Sequence, residues 1–226
     1  MAADMPMATK APLMAAPVFS WTGCYVGANV GGGVSRTNVQ NSEGINGQQG
    51  NGTGAIAGGQ LGCNYQDGNW VFGLEGEGFW SGIKGNDSVQ FNNGAFPGVG
   101  AIDADNLRWG GTIRAVGGIA VDRWLLFFTG GYAYGNIQHT NTPPGGPIDQ
   151  FNVQANGLTA GAGFSYAITN NIIGKFEYRY YNFNGYNRPG NPLTPNGQIP
   201  YTTETTYSVV TVGLDFKFGG PVVAKY

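Results

Sequence analysis

Ile173-Gly174-Lys175-Phe176-Glu177-Tyr178-Arg179-Tyr180-Tyr181 reads as two sequences interleaved. Even positions carry Gly174, Phe176, Tyr178 and Tyr180; odd positions carry Lys175, Glu177 and Arg179. A period of two is that of a β-strand whose faces stand in different media. One face is aromatic and the other alternates in charge. Which of them meets water decides the fold.

Composition narrows the choice. Charged residues make up 11 % of the 226, against roughly 25 % in soluble globular proteins. Aromatics reach 13 %, and 41 glycines occur with only 12 prolines and no G-X-Y period. So few charges cover a soluble surface poorly, and a face turned away from water is implied. No apolar run approaches the roughly 20 residues of a transmembrane helix. A membrane crossing then requires a closed β-barrel, the other structure that satisfies every backbone polar group in lipid. The net charge of −2 and the scattered Lys and Arg exclude a nucleic-acid-binding surface.

Outward from the opening stretch, the same alternation recurs. Cys24, Val26, Ala28 and Val30 share a face, as do Leu61, Cys63 and Tyr65. Asp67-Gly68 is a hairpin signal between that strand and Trp70, Phe72, Leu74 and Trp80, which oppose Glu75 and Glu77. Leu107, Trp109, Ile113, Ala115 and Ile119 oppose Arg108, Thr112 and Arg114, and Asp122-Arg123 follows as a tight turn. The fifth strand, from Trp124 to Gly135, is apolar on both faces, so its register stays open. Leu158, Ala160, Ala162, Phe164 and Tyr166 form one face of the sixth, and a turn at 169–171 leads back to the opening stretch. Val210, Val212, Leu214, Phe216 and Phe218 face away from Thr211, Gly213, Asp215 and Lys217.

Polar segments at 34–54, 83–105, 138–153 and 185–204 alternate with these short connections. The fold expected is all-β: an eight-stranded antiparallel up-and-down transmembrane β-barrel with short periplasmic turns and four long extracellular loops. Trp21, Tyr65, Trp70, Trp124 and Tyr166 on the short-turn side, and Trp80, Trp109, Tyr134, Tyr180 and Tyr207 on the loop side, fit two interfacial girdles. A soluble lipocalin-type barrel is the competing arrangement, but its exterior would need more charge than these strands supply. Residues 1–18, small and rich in Pro and Met, read as a flexible periplasmic tail left after signal cleavage, 19–218 as the barrel and 219–226 as a C-terminal extension.

W-T-G-C-Y-V-G-A-N-V-G at 21–31, E-G-E-G at 75–78, T-G-G-Y-A-Y-G at 129–135, K-F-E-Y-R-Y at 175–180 and V-G-L-D-F-K-F at 212–218 resemble the OmpA-like small outer-membrane β-barrels of alphaproteobacteria, often labelled porin-family. The resemblance spans roughly 19–226. It implies location in the cell outer membrane, a periplasmic N-terminus and a surface-antigen character. It departs from the family where Gly219–Tyr226 follow Phe218, and where Cys24 and Cys63 stand in place of aromatics. It also suggests covalent attachment to peptidoglycan through an N-terminal alanine, here Ala2 or Ala3.

The residues of chemical interest are the inward charges Glu75, Glu77, Arg108, Arg114, Lys175, Glu177, Arg179, Asp215 and Lys217. In a lumen about wide enough for side chains to fill, they read either as a paired ionic plug or as a gated ion path. Burial without pairing is costly, which favours the plug. Cys24 and Cys63 fall on neighbouring strands in an oxidising compartment, as a disulfide or as two lipid-facing thiols. His139, the single histidine, stands in the third loop without companion ligands, so neither a metal centre nor a catalytic pair is indicated. Glycine-rich strings open no helix and carry no nucleotide signal. The sequence thus points to a non-enzymatic, cofactor-free envelope protein. Its partners would be outer-membrane lipid and lipopolysaccharide, with peptidoglycan and host or phage surface ligands as further candidates. A narrow porin for small solutes or ions is the alternative.

Overall fold

A computed structural model describes residues 19–40, 50–85, 87–91, 99–142, 149–188 and 201–218. The tail 1–18, with Ala2 and Ala3, and the extension 219–226 lie outside them.

Eight long strands form the wall: β1 (Gly23–Gln40), β2 (Gly50–Asp67), β3 (Trp70–Ser81), β6 (Val99–Val121), β7 (Trp124–Thr142), β8 (Asp149–Ala167), β9 (Ile172–Arg188) and β10 (Tyr201–Phe218). Each pairs antiparallel with the next, and β1 pairs with both β2 and β10, which closes the barrel. Two short strands, β4 (Lys84–Gly85) and β5 (Asp87–Phe91), extend the sheet beyond β3 against β2 and β6.

The periplasmic connections are short for local reasons. Gly68 (φ 58°) and Asp122 (φ 51°) take the left-handed conformation that two-residue hairpin turns require. In the turn after β8, Thr169 Oγ1 accepts from the amides of Asn171 (3.2 Å) and Ile172 (2.9 Å). At the other end the strands run longer than the sequence pattern indicates. β1 reaches Gln40 and β6 starts at Val99, whereas roughly 9–11 residues suffice to cross a bilayer. Much of what reads as loop is therefore sheet standing above the membrane. His139 belongs to β7, paired in register with Asp105 and Phe151, and not to a loop.

Side chains alternate between the wall faces along most of each strand. Val26, Leu61, Leu74, Ile113, Phe128, Leu158 and Leu214 point outward with half or more of their surface uncovered, forming a belt for hydrocarbon. Trp80 and Trp109 are directly paired at the loop-side edge of this belt, with the Tyr134 ring 5.7 Å from that of Trp109. Trp124 and Tyr166, 4.7 Å apart, mark the other edge. Two expected girdle residues are not there: Trp21 and Tyr207 lie inside the barrel, 2 % and 0 % exposed.

The fifth long strand, β7, reads apolar on both faces because each face has an apolar neighbour. Leu126 and Phe128 face lipid, while Leu125 and Phe127 fill the lumen. The lumen is layered. Toward the loops, Phe79, Ile83, Ile137, Tyr181, Phe183 and their neighbours form one apolar cluster. Toward the periplasm, Trp21, Val71, Leu125, Phe127 and Ile173 form another, with Phe19 packed against it. The charged residues lie between the two.

Candidate functional site

Three strands supply the charged layer. Glu75 and Glu77 come from β3, Arg114 from β6, and Lys175, Glu177 and Arg179 from β9. Glu75 and Arg114 are direct cross-strand partners; the β9 residues reach them across the lumen. Arg114 binds three carboxylates: Glu75, Glu77 Oε2 (2.9 Å) and Glu177 Oε1 (2.9 Å). Arg179 pairs with Glu77 and lies 3.6 Å from Glu177 Oε2. Lys175 Nζ is 2.6 Å from Glu75 Oε2 and 3.5 Å from Glu177 Oε2. Three cations thus balance three carboxylates. All but Lys175 have side chains at most 2 % exposed.

Neutral groups complete the coordination. The Tyr25 hydroxyl donates to Glu75 Oε2 (2.6 Å), Thr129 to Glu177 Oε1 (3.0 Å), and Asn29 Nδ2 to Glu77 Oε1 (2.9 Å). Arg179 Nη2 donates to Thr211 Oγ1 at 2.9 Å. The space among these side chains has essentially no room for a water molecule. A cavity of about 20 Å³ lies on the periplasmic side, bordered by Tyr25, Asn64, Phe127 and Asp215. Close packing depends on missing Cβ atoms. One added at Gly161 would stand 2.7 Å from Thr129 Oγ1 and 2.9 Å from Glu177 Oε1, and one at Gly27 would overlap the Asp215 carboxylate.

Three of the expected network residues are placed differently. Arg108 is not inward: a register irregularity between Leu107 and Trp109 turns Leu107 into the lumen and leaves Arg108 exposed, donating to Gln138 Oε1 at 2.8 Å. A bulge adds one residue and shifts the alternation. Asp215 is inward but held by Gln60 Nε2 (2.7 Å) instead of an ion pair. Lys217 faces inward at the periplasmic end, where its ammonium donates to the Ser20 carbonyl and sits 4.7 Å from the Phe19 ring. Tyr25, Asn29, Gln60, Thr129 and Thr211 escaped the sequence reading as polar partners. Their signal is parity, because each lies in step with the inward residues of its own strand.

Cys24 and Cys63 are direct partners across β1 and β2, and the structure joins them in a disulfide on the outer wall. Among the described residues, no group of three His, Cys, Asp or Glu side chains could hold a metal ion.

A closed eight-stranded wall with an apolar exterior, aromatic edges and a filled interior defines a transmembrane β-barrel of the outer-membrane type. The chain belongs to the outer membrane protein beta-barrel domain family, which it matches over residues 7–218. It is 32 % identical to the 31 kDa outer-membrane immunogenic protein of Brucella melitensis over 96 % of its own length and 93 % of the relative's. It is 30 % identical to a 22 kDa outer membrane protein of Rhizobium leguminosarum over 54 % of this chain and 51 % of that one. Among solved structures, OprG of Pseudomonas aeruginosa gives a TM-score of 0.52 at 13 % identity, covering 88 % of this chain and 98 % of OprG. The outer-membrane protease OmpT of Escherichia coli gives the same TM-score and identity over 90 % and 99 %. These two likenesses show the fold alone. The protein is an outer-membrane β-barrel.

Proposed function

We propose that the barrel is a closed, structural element of the envelope that presents its loops to the outside and does not conduct. One observation supports this above the others: six inward charges, Glu75, Glu77, Arg114, Lys175, Glu177 and Arg179, are paired with one another between two apolar layers. An ion crossing the lumen would have to break buried pairs, each costly to leave uncompensated, and then pass a dehydrated apolar layer. The immunogenic character named for the Brucella relative supports reading the loops as an antigenic surface. The chain is read as non-enzymatic, since its lumenal carboxylates are engaged with cations and donors.

The tail is proposed to tether the barrel to peptidoglycan through Ala2 or Ala3. Phe19 and Trp21 pack at the periplasmic mouth, and the Trp21 amide donates to Gln66 Oε1 at 2.7 Å, so the preceding chain starts on the cell-wall side. Mass spectrometry of purified sacculi checks this: an N-terminal muropeptide adduct is expected, and a clean sacculus fraction contradicts it. Deleting the gene should sensitise cells to detergent and increase vesicle shedding. Unchanged resistance and shedding would remove the structural role.

A further inference from the structure

Of the chain's 11 Lys and Arg residues, three sit in the lumenal layer, and two cap the periplasmic end. Of those two, Arg123 donates to the Ala167 carbonyl and to Asn170, and Lys217 to Ser20. Three others behave differently. Arg36, Lys84 and Arg108 are exposed, and none has a carboxylate partner among the described side chains. All three stand on one side of the barrel, just beyond the loop-side edge of the apolar belt.

Register fixes their relation. Arg36 pairs with Asn51, and two residues along β2 Thr53 pairs with Lys84; Lys84 pairs in turn with Asn106, two residues before Arg108. With adjacent strands about 4.8 Å apart and about 6.6 Å per two residues, the Lys84 and Arg108 Cα atoms are roughly 8 Å apart and Arg36 roughly 12 Å from Lys84. By the same spacings Arg36 and Arg108 are roughly 20 Å apart, so the three side chains span a headgroup and do not meet at a single phosphate. Below them the wall is apolar and aromatic, with Ala57, Trp80 and Trp109 in one row. At the same height on the opposite side, Asn152, Gln154, Asn156 and Asn182 are exposed and uncharged. Among the described side chains, the loop-side cations therefore stand in one sector.

We propose that Arg36, Lys84 and Arg108 form a binding site for the phosphates of an outer-leaflet glycolipid whose acyl chains lie against Trp80, Trp109 and the belt beneath. The ligand is amphiphilic because the site is: exposed cations directly above a hydrocarbon-facing surface. A guanidinium holds phosphate bidentately and an ammonium acts as a point charge, so two Arg and one Lys suit a headgroup with more than one phosphate. This inference rests on the outer-membrane reading and adds a lipid and a sector to it.

The test uses the full chain refolded in phosphatidylcholine vesicles doped with diphosphorylated lipid A or with the same lipid stripped of phosphate. After mild detergent extraction, the retained lipid is counted by native mass spectrometry. The wild type should hold the diphosphorylated form, and R36Q/K84Q/R108Q should retain about a hundredfold less. Heat-modifiable gel mobility establishes that both have inserted, so a fold failure is told apart from a site failure. Free pyrophosphate should not displace the lipid. Equal retention by the triple variant, equal retention of the dephosphorylated lipid, or displacement by pyrophosphate would each overturn the proposal.

Discussion

Replacing Arg114 by Met removes a cation that touches three carboxylates, Glu75, Glu77 and Glu177, with its side chain 1 % exposed. The layer then holds three carboxylates against two cations, Lys175 and Arg179, and one buried negative charge is left uncompensated. Breaking a buried pair by deleting one partner costs about 3–5 kcal/mol, so the variant should lose that much. Adding Glu75→Gln restores two against two, with Glu77 and Glu177 facing Lys175 and Arg179, and keeps a side chain able to meet Tyr25. The double variant should be more stable than R114M alone, with a coupling of about 1–3 kcal/mol. Urea unfolding in detergent micelles, followed by the fluorescence of the five tryptophans, gives both numbers if the denaturant slope is unchanged. The effect should persist at high salt, because buried pairs are screened far less than exposed ones. An R114M midpoint indistinguishable from wild type, or a double variant less stable than R114M, would refute the charge-balance argument.

Other perturbations read other layers. Gly161→Val should cost about 1–3 kcal/mol by crowding Thr129 and Glu177, while Gly130→Ala, where nothing lies within 4 Å of the added carbon, should stay within about 0.5 kcal/mol; the same urea titration compares them. Trp21→Ala should destabilise by about 3–5 kcal/mol through the cavity it leaves at the periplasmic end. Phe128→Arg, on a residue 73 % exposed to the lipid side, should cost about 2–4 kcal/mol in folding into bilayers, and Asn182→Arg, beyond the belt, about 0–1 kcal/mol. For the Cys24–Cys63 link, which spans 39 residues, reduction should expose two thiols to a mass-tagging reagent and lower stability by up to about 4 kcal/mol; thiols already labelled without reductant in periplasm-matured protein would contradict the bond.

Alternation made most of the wall legible. Where one face meets hydrocarbon and the other a charged layer, as at Phe176, Glu177 and Tyr178, parity assigns each side chain without ambiguity. The signal fades where the two media become alike. Along β7, Leu125 to Phe128 meet apolar lumen on one side and lipid on the other, so the period vanishes although the strand is regular. Toward the loop ends the alternation is lost, and segments that pair as strand, such as 37–40 of β1 and 99–105 of β6, read as loop. Single-residue irregularities carry no compositional mark either: the shift between Leu107 and Trp109 moved Arg108 out and Leu107 in. Residue type also misled where one chemistry serves two places. Trp21 and Tyr207 suit an interfacial girdle, yet both fill the lumen, and for Tyr207 the parity of β10 already said so. The cross-lumen pairing of Arg114 with Glu177 depends on barrel closure, a long-range property that no local stretch encodes.

The central claim is that paired charges between two apolar layers close the lumen. Conductance of the refolded protein in a planar lipid bilayer tests it most directly. With insertion shown by heat-modifiable mobility, a closed lumen leaves the membrane silent. Stable, salt-dependent current steps that change when Glu177 or Arg179 is replaced would contradict it and make the lumen a pathway.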